Sequence, residues 1–160
     1  MPNYLVVLGA ALIPTIIGFI WYNPKTFGNA WMKAADMTDE KIKGGNMPLI
    51  FGVSLVLSVF LSFFLSTIFI HQGAAYSLLL ADPANIDQAG YDTVMEIFGD
   101  RHRTFGHGFA HGMFMSVLCI LPILGTNALF ERKGWKYILV NVGYWALTVG
   151  LMGGIICQWA

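Results

Sequence analysis

The sequence predicts an all-α integral membrane protein, a bundle of four transmembrane helices. All of its charged side chains lie in three short windows, residues 25–43, 82–103 and 131–136. The stretches between and around these windows carry no charge, and a run of about 20 apolar residues is what a bilayer requires of a spanning helix. The composition agrees, because only 11% of the residues are charged, whereas soluble domains have about 25%.

The four predicted spans cover residues 4–22, 47–71, 105–128 and 137–160, and with their connections they form a single domain. The first span ends in Trp21-Tyr22-Asn23-Pro24 rather than in a small-residue cleavage site, so we expect it to be retained in the membrane. Pro14 and Pro122 should bend the first and third spans, because proline removes a backbone donor and clashes with the preceding turn.

The distribution of cations predicts the orientation in a cytoplasmic (inner) membrane. The first and third connections hold seven Lys and Arg residues, whereas the longer middle connection, residues 72–104, holds two. Because cation-rich loops stay in the cytoplasm, we expect the first and third connections there, and both termini and the middle connection outside. The net charge of zero, with cations in separate loops, argues against nucleic-acid binding, so the expected surroundings are the lipid bilayer.

The connections themselves contain helix signals. Residues 27–37 place Phe27 and Trp31 on one helical face, which predicts a short interfacial helix in the first connection. Thr38 before Asp39 and Glu40 indicates the start of another helix. Residues 91–98 predict a short helix in the middle connection, which begins after the turn signal at Ala89-Gly90.

Small residues recur every four positions on three of the spans. Such seams let a neighbouring backbone approach closely. They predict close packing inside the chain, and the alternative is a seam reserved for a second copy or another membrane-protein subunit. The seam residues are Ser54, Ser58, Ser62 and Ser66 on the second span, Gly108 and Gly112 on the third, and Ala146, Gly150 and Gly154 on the fourth.

Two asparagines near the cytoplasmic ends of the third and fourth spans, Asn127 and Asn141, need hydrogen-bond partners at that depth. We expect them to bond to one another across the hairpin that joins the two spans. This role would be structural.

The sharpest chemical feature is a set of four histidines, His71, His102, His107 and His111, all at the outer membrane face of the predicted topology. His107 and His111 are one helical turn apart and share a face. Such a pair can chelate a cation, with His71 as a third ligand. His102, Glu96 and Asp100 lie close enough in sequence to complete the ligand shell or to orient the ring nitrogens. For a haem, only His71 with His107 or His111 could supply two facing axial ligands. Imidazoles that merely bond carbonyls, the acidic loop or lipid phosphates are the simpler explanation.

Residues 18–24 (GFIWYNP) and 27–33, followed by 128–133 and 135–137, form two motifs of aromatic, proline, glycine and charged positions near the ends of the chain. With these motifs the sequence resembles an uncharacterised family of membrane proteins, domain of unknown function 1761. The resemblance implies a small four-span membrane protein and supplies no activity, cofactor or catalytic residue. Both motifs adjoin the cytoplasmic connections, so we expect an ordered cytoplasmic cap of Trp21, Tyr22, Trp31, Glu131 and Arg132.

No nucleophile beside a base and no phosphate-binding loop is recognisable, so we expect a non-catalytic protein without a resident cofactor. Three functions follow as hypotheses. The leading hypothesis is a structural or accessory subunit that forms a homo-oligomer or joins a larger membrane complex. The alternative is a metal- or haem-binding protein that uses the histidines, and a third is a lipid or quinone site between helices bent at Pro14 and Pro122.

Overall fold

The computed structural model describes residues 2–160, and these form helices and no strand. Helices fill both the apolar stretches and most of the connections between them. In chain order the helices are α1 (Tyr4–Ala10), α2 (Ile13–Trp21), α3 (Gly28–Ala35), α4 (Asp39–Lys43), α5 (Met47–Phe69), α6 (Gln72–Leu79), α7 (Gln88–Phe98), α8 (Phe105–Met115), α9 (Leu121–Phe130) and α10 (Trp135–Trp159).

Four helical segments are long and apolar enough to cross a membrane, which confirms the predicted number of spans. The first is α1 with α2 (Tyr4–Trp21), the second is α5, the third is α8 with α9 (Phe105–Phe130), and the fourth is α10. Each segment begins or ends within about two residues of the predicted boundaries. The chain is therefore compatible with a multi-pass membrane protein.

Pro14 and Pro122 each follow an irregular stretch of helix. The first span is interrupted at Ala11 and Leu12, just before Pro14 in the first turn of α2. In the third span, Ser116–Ile120 form one π-helical turn between α8 and α9, and Pro122 opens α9. A proline cannot donate to the preceding turn, so the helix adjusts its hydrogen bonding there.

The fourth span, α10, is the central helix of the bundle. Its apolar window is 61% buried inside the protein, against 22%, 22% and 17% for the first, second and third spans. It also has the lowest mean hydropathy of the four, 1.6. A helix surrounded by other helices need not be as apolar as one that faces lipid, which explains how α10 accommodates Asn141 and Thr148.

The glycine seams join α8 to α10 within the chain. A Cβ atom added at Gly108 would lie 2.5 Å from Cβ of Cys157, and one added at Gly112 would lie 2.6 Å from Cα of Gly150. A Cβ added at Gly154 would meet the ring of Phe105 at 2.6 Å. These glycines therefore allow backbone and aromatic rings to approach more closely than any side chain would permit.

The serine seam of α5 also faces inward for most of its length. Ser58, Ser62 and Ser66 are buried, and the Ser62 hydroxyl donates to the carbonyl of Val7 on α1. Ser54, nearer the start of the helix, is exposed, and Ala146 on α10 is half-buried. Most of the small-residue surface thus packs the chain against itself.

The short helices of the connections form largely where the sequence predicts them. Helix α3 lies within residues 27–37, and the Thr38 side chain caps α4 by accepting from the backbone N–H of Lys41. Helix α7 includes residues 91–98 but begins earlier, with the Asp87 carboxylate as its cap. Helix α6 was not predicted, because it follows the second span directly and has no capping side chain.

The predicted bond between Asn127 and Asn141 is wrong. The Asn141 side chain accepts from the hydroxyl of Tyr22 at 2.9 Å and donates to the carbonyl of Tyr137 at 2.8 Å. Asn127 is exposed on α9. The partner of Asn141 comes from the first span because α10 packs against α2 there, a contact that the hairpin sequence does not reveal.

Candidate metal centre

Three separate elements bring the four histidines together at one end of the bundle. His71 lies between the end of α5 and the start of α6, and His102 lies in the loop before α8. His107 and His111 lie one turn apart on α8. The ring of Phe69, the last residue of α5, lies 5.7 Å from the ring of His111, which shows how closely these two spans meet.

The ring nitrogens of three histidines are close enough to serve one ion. Nε2 of His71 lies 3.0 Å from Nε2 of His107. One ligand nitrogen from each of His71, His107 and His111 falls within 4.8 Å of the other two. Two imidazoles on a tetrahedral zinc ion, with Zn–N bonds of about 2.0–2.1 Å, have nitrogens about 3.4 Å apart. The closest pair already has nearly this spacing, and the widest would contract when an ion bound.

His102 lies beside these three and stacks on His107, with ring centroids 4.6 Å apart. Its backbone is left-handed, with φ of 65°, a conformation that costs a residue with a side chain about 1–2 kcal/mol. Its carbonyl accepts from the backbone N–H of Thr104 at 2.9 Å and from the Cys157 thiol at 3.1 Å. These bonds hold the loop in the conformation that places His102 against the cluster.

The surroundings of His71 favour its uncharged imidazole. Burial lowers the pKa of His71, and the neighbouring rings of His111 and His102 lower it further because a second positive charge nearby is unfavourable. The neutral imidazole is the form that binds a metal ion. Glu96 and Asp100, which the sequence offered as orienting groups, are exposed and lie outside the group of close ligand atoms.

A cavity of about 310 Å³ adjoins the cluster and is lined by His71 and His102. Most of the wall formed by α6 and α7 is apolar, and Gln72 and Arg101 contribute polar groups. The apolar residues are Ala75, Val94, Met95 and Phe98.

Gln72 links two of the short helices next to this cavity. Its side-chain amide donates to the carbonyls of Phe98 and Arg101, at 2.9 and 3.0 Å, and so ties α6 to the end of α7. Its Oε1 atom is buried and has no hydrogen-bond partner in the described part of the chain. Sequence reasoning missed Gln72, because a glutamine after a histidine carries no motif.

The predicted cytoplasmic cap lies at the opposite end of the bundle, and the structure brings its aromatic members together. The rings of Tyr22 and Trp31 meet edge to face at 5.4 Å. The indole of Trp21 donates to the carbonyl of Val140 on α10 at 3.0 Å. The aromatic side chains therefore anchor the first connection to the fourth span.

Glu131 and Arg132 are exposed and form no recorded contact with this aromatic cluster. Their loop is linked to the first connection by the next residue. The Lys133 ammonium bonds the carboxylate of Asp36 at 2.7 Å and the carbonyl of Ala35 at 3.1 Å. The positive φ of Arg132, 58°, turns the chain so that Lys133 faces α3.

The family is shown by a match along nearly the whole chain. The model of a family described as protein of unknown function (DUF1761) matches residues 5–157. Neither a curated protein nor a solved structure is significantly similar to the chain. A helical chain with four membrane-length segments is what the resemblance implied, and the protein belongs to the DUF1761 family of proteins of unknown function.

Proposed function

We propose that this protein binds one divalent transition-metal ion, with Zn²⁺ as the reference case, through His71, His107 and His111 at one end of its membrane bundle. The observation that carries the proposal is the convergence of three imidazole nitrogens within 4.8 Å, although His71 is 36 residues from His107 in the sequence. Imidazole is a preferred ligand of zinc, copper, nickel and iron.

The geometry favours a single ion over a haem. Axial ligands of a haem lie on opposite sides of a flat macrocycle, so their nitrogens are about 4 Å apart with the ring between them. His71 and His107 are in hydrogen-bond contact at 3.0 Å, and His111 lies beside them, with its ring centroid 4.4 Å from that of His107. This grouping leaves no gap for a macrocycle but suits one ion with several ligands on one side.

A partner subunit is less well supported than a metal ion. The small-residue seams were the main reason to expect an oligomer or an accessory role, and most of them are occupied by contacts within the chain. Association with itself or with another membrane protein therefore stays a prediction, and measurement of the mass in mild detergent would test it.

We also propose that the histidine end lies outside the cytoplasm. The bond between Lys133 and Asp36 places the first and third connections, which carry seven of the nine cations, at the same end of the bundle. The two ends of the bundle thus differ strongly in Lys and Arg, and the cation-rich end is retained in the cytoplasm.

The test is zinc binding by the protein in phosphatidylcholine nanodiscs, measured by titration against a competing chelator. The wild type should bind one ion per chain, and His107→Ala should weaken binding by at least 100-fold because it removes one of three ligands. His102→Ala is the matched control, since His102 is outside the group of close ligand atoms, and it should cost no more than about tenfold. Unchanged binding by a variant with alanine at positions 71, 107 and 111 would refute the proposal.

A further inference from the structure

A second cavity lies in the hairpin of α9 and α10, towards the end of the bundle away from the histidines. Its volume is about 370 Å³, within the range of sites that bind small molecules. One part of its lining is apolar and another part is polar. The apolar residues are Ile120, Ile123, Leu124, Ala128 and Trp145, and the polar residues are Asn127, Glu131 and Tyr137.

The apolar and polar residues of this lining are separated by depth in the span. Glu131 follows the last residue of α9, and Tyr137 lies in the first turn of α10, so both are near the turn of the hairpin. Ile120 and Trp145 lie about 16 and 12 Å further along their helices, at a rise of about 1.5 Å per residue. An elongated molecule with a polar head at the membrane surface and an apolar tail along the hairpin matches this order.

The packing of the third span explains why the hairpin leaves this space. Helix α8 contacts α10 extensively through its glycines, whereas α9 contacts α10 much less. The π-helical turn at Ser116–Ile120 separates the two halves of the span, and its last residue lines the cavity. The cavity is therefore a consequence of the change in packing from α8 to α9.

The polar part of the lining favours a cation. Glu131 is the one charged residue of the lining, and it forms no salt bridge within residues 2–160. It also caps the C-terminus of α9, where the helix dipole places partial negative charge. Asn127 and Tyr137 add an amide oxygen and a hydroxyl, which can accept further hydrogen bonds. An anionic phosphoglycerol head or the carbonyl oxygens of a quinone would instead be repelled by the carboxylate.

We propose that this cavity binds a membrane phospholipid whose head group carries a primary ammonium, with phosphatidylethanolamine as the reference case. The ammonium donates to the carboxylate of Glu131, and Asn127 and Tyr137 are further acceptors. One acyl chain lies against the apolar lining towards Ile120 and Trp145. The site is separate from the histidines, so the proposal does not depend on metal binding.

Native mass spectrometry of the delipidated protein in a mild detergent tests the head group. Dioleoyl forms of phosphatidylethanolamine, phosphatidylcholine and phosphatidylglycerol are added in equal amounts, with a metal chelator that keeps the histidine site empty. The quaternary ammonium of phosphatidylcholine has no N–H to donate, and phosphatidylglycerol has no cation. Phosphatidylethanolamine should bind about fivefold more tightly than either competitor, because hydrogen bonds between charged partners are the strong ones.

Two glutamine variants assign the preference to one carboxylate. Glu131→Gln keeps the shape of the side chain but removes its charge, and it should reduce the preference to under about twofold. Glu40→Gln makes the same change at an exposed residue of α4 that does not line the cavity, and it should keep the preference.

Two alanine variants test the position of the acyl chain. Ile123 lines the cavity and is 60% exposed, whereas Leu139 does not line it and is 63% exposed. Ile123→Ala removes apolar surface from the wall and should weaken phosphatidylethanolamine binding about threefold. Leu139→Ala should leave that affinity unchanged.

Three outcomes would overturn the proposal. The first is equal binding of the three lipids by the wild type, and the second is a preference that survives in Glu131→Gln or is lost in Glu40→Gln. The third is equal affinity of Ile123→Ala and Leu139→Ala for phosphatidylethanolamine. Zinc binding is measured in a separate experiment, so either proposal can fail without the other.

Discussion

The close approach of α8 and α10 leads to a quantitative prediction for Gly112→Ala. The new methyl group would lie 2.6 Å from Cα of Gly150 and would also press on the carbonyl oxygen of Val149. Both obstacles are backbone atoms, so relief requires the two helices to separate by about an ångström. Overpacking of this kind costs about 1–3 kcal/mol, while alanine gains up to about 1 kcal/mol over glycine in helix propensity.

Gly52→Ala on α5 is the matched control. A methyl group there meets nothing within 4 Å, so this variant should keep the propensity gain without any packing cost. The difference between the two variants isolates the packing energy, and we expect Gly112→Ala to be less stable than Gly52→Ala by about 1–3 kcal/mol.

The assay is reversible unfolding in mixed micelles as the fraction of dodecyl sulfate rises, followed by far-ultraviolet circular dichroism. It gives the free energy of unfolding of both variants and of the wild type. Equal unfolding free energies for the two variants would refute the close contact between α8 and α10, and with it the assignment of the glycine seams to packing within the chain.

Three further predictions concern the cap end of the bundle. Trp31→Ala should destabilise the fold by about 2 kcal/mol, since the ring is half-buried. Leu118→Ala removes a side chain that is 73% exposed on the third span, so it should change stability by under about 0.5 kcal/mol. Equal melting temperatures of the two variants in detergent would contradict the predicted cap. Tyr22→Phe should cost about 1–2 kcal/mol in the same unfolding assay because it leaves a partly buried amide oxygen without its donor, and wild-type stability would show that this hydrogen bond contributes nothing. The Lys133 ammonium lowers the pKa of Asp36, so the stabilisation by this ion pair is fully present above the unfolded pKa of about 3.9 and is lost as the pH falls through the lower folded value. The stability difference between wild type and Asp36→Asn should therefore vanish in acid. A pH-independent difference would exclude the ion pair as its source.

The sequence was most informative where one physical requirement dominates. Hydrocarbon tolerates no charge and no unpaired backbone group, so charge-free runs of sufficient length identified four helical segments long and apolar enough to span a membrane. Local capping chemistry was similarly readable, since Thr38 caps α4 through its own hydroxyl. Helix α6 was missed because nothing local marks its start.

Pairings between distant residues were predicted less well. Asn141 bonds Tyr22 rather than Asn127, and Lys133 rather than Glu131 or Arg132 links the third connection to the first. Asn141 does have the hydrogen-bond partners that its depth in the span requires. Which partner it met depended on how α2, α3 and α10 pack, and sequence spacing does not encode that packing.

For the candidate metal centre, the sequence by itself determined that four histidines lie near the same ends of the second and third spans, because alternating helices return the chain to the same face of the membrane. Only the tertiary structure decided that the Nε2 atoms of His71 and His107 lie 3.0 Å apart and that a cavity lined by His71 and His102 adjoins them. The physical reason is that ligand distances depend on the rotation and depth of packed helices. Glycine contacts such as Gly108 against α10 set both, and their geometry exists only in the folded bundle.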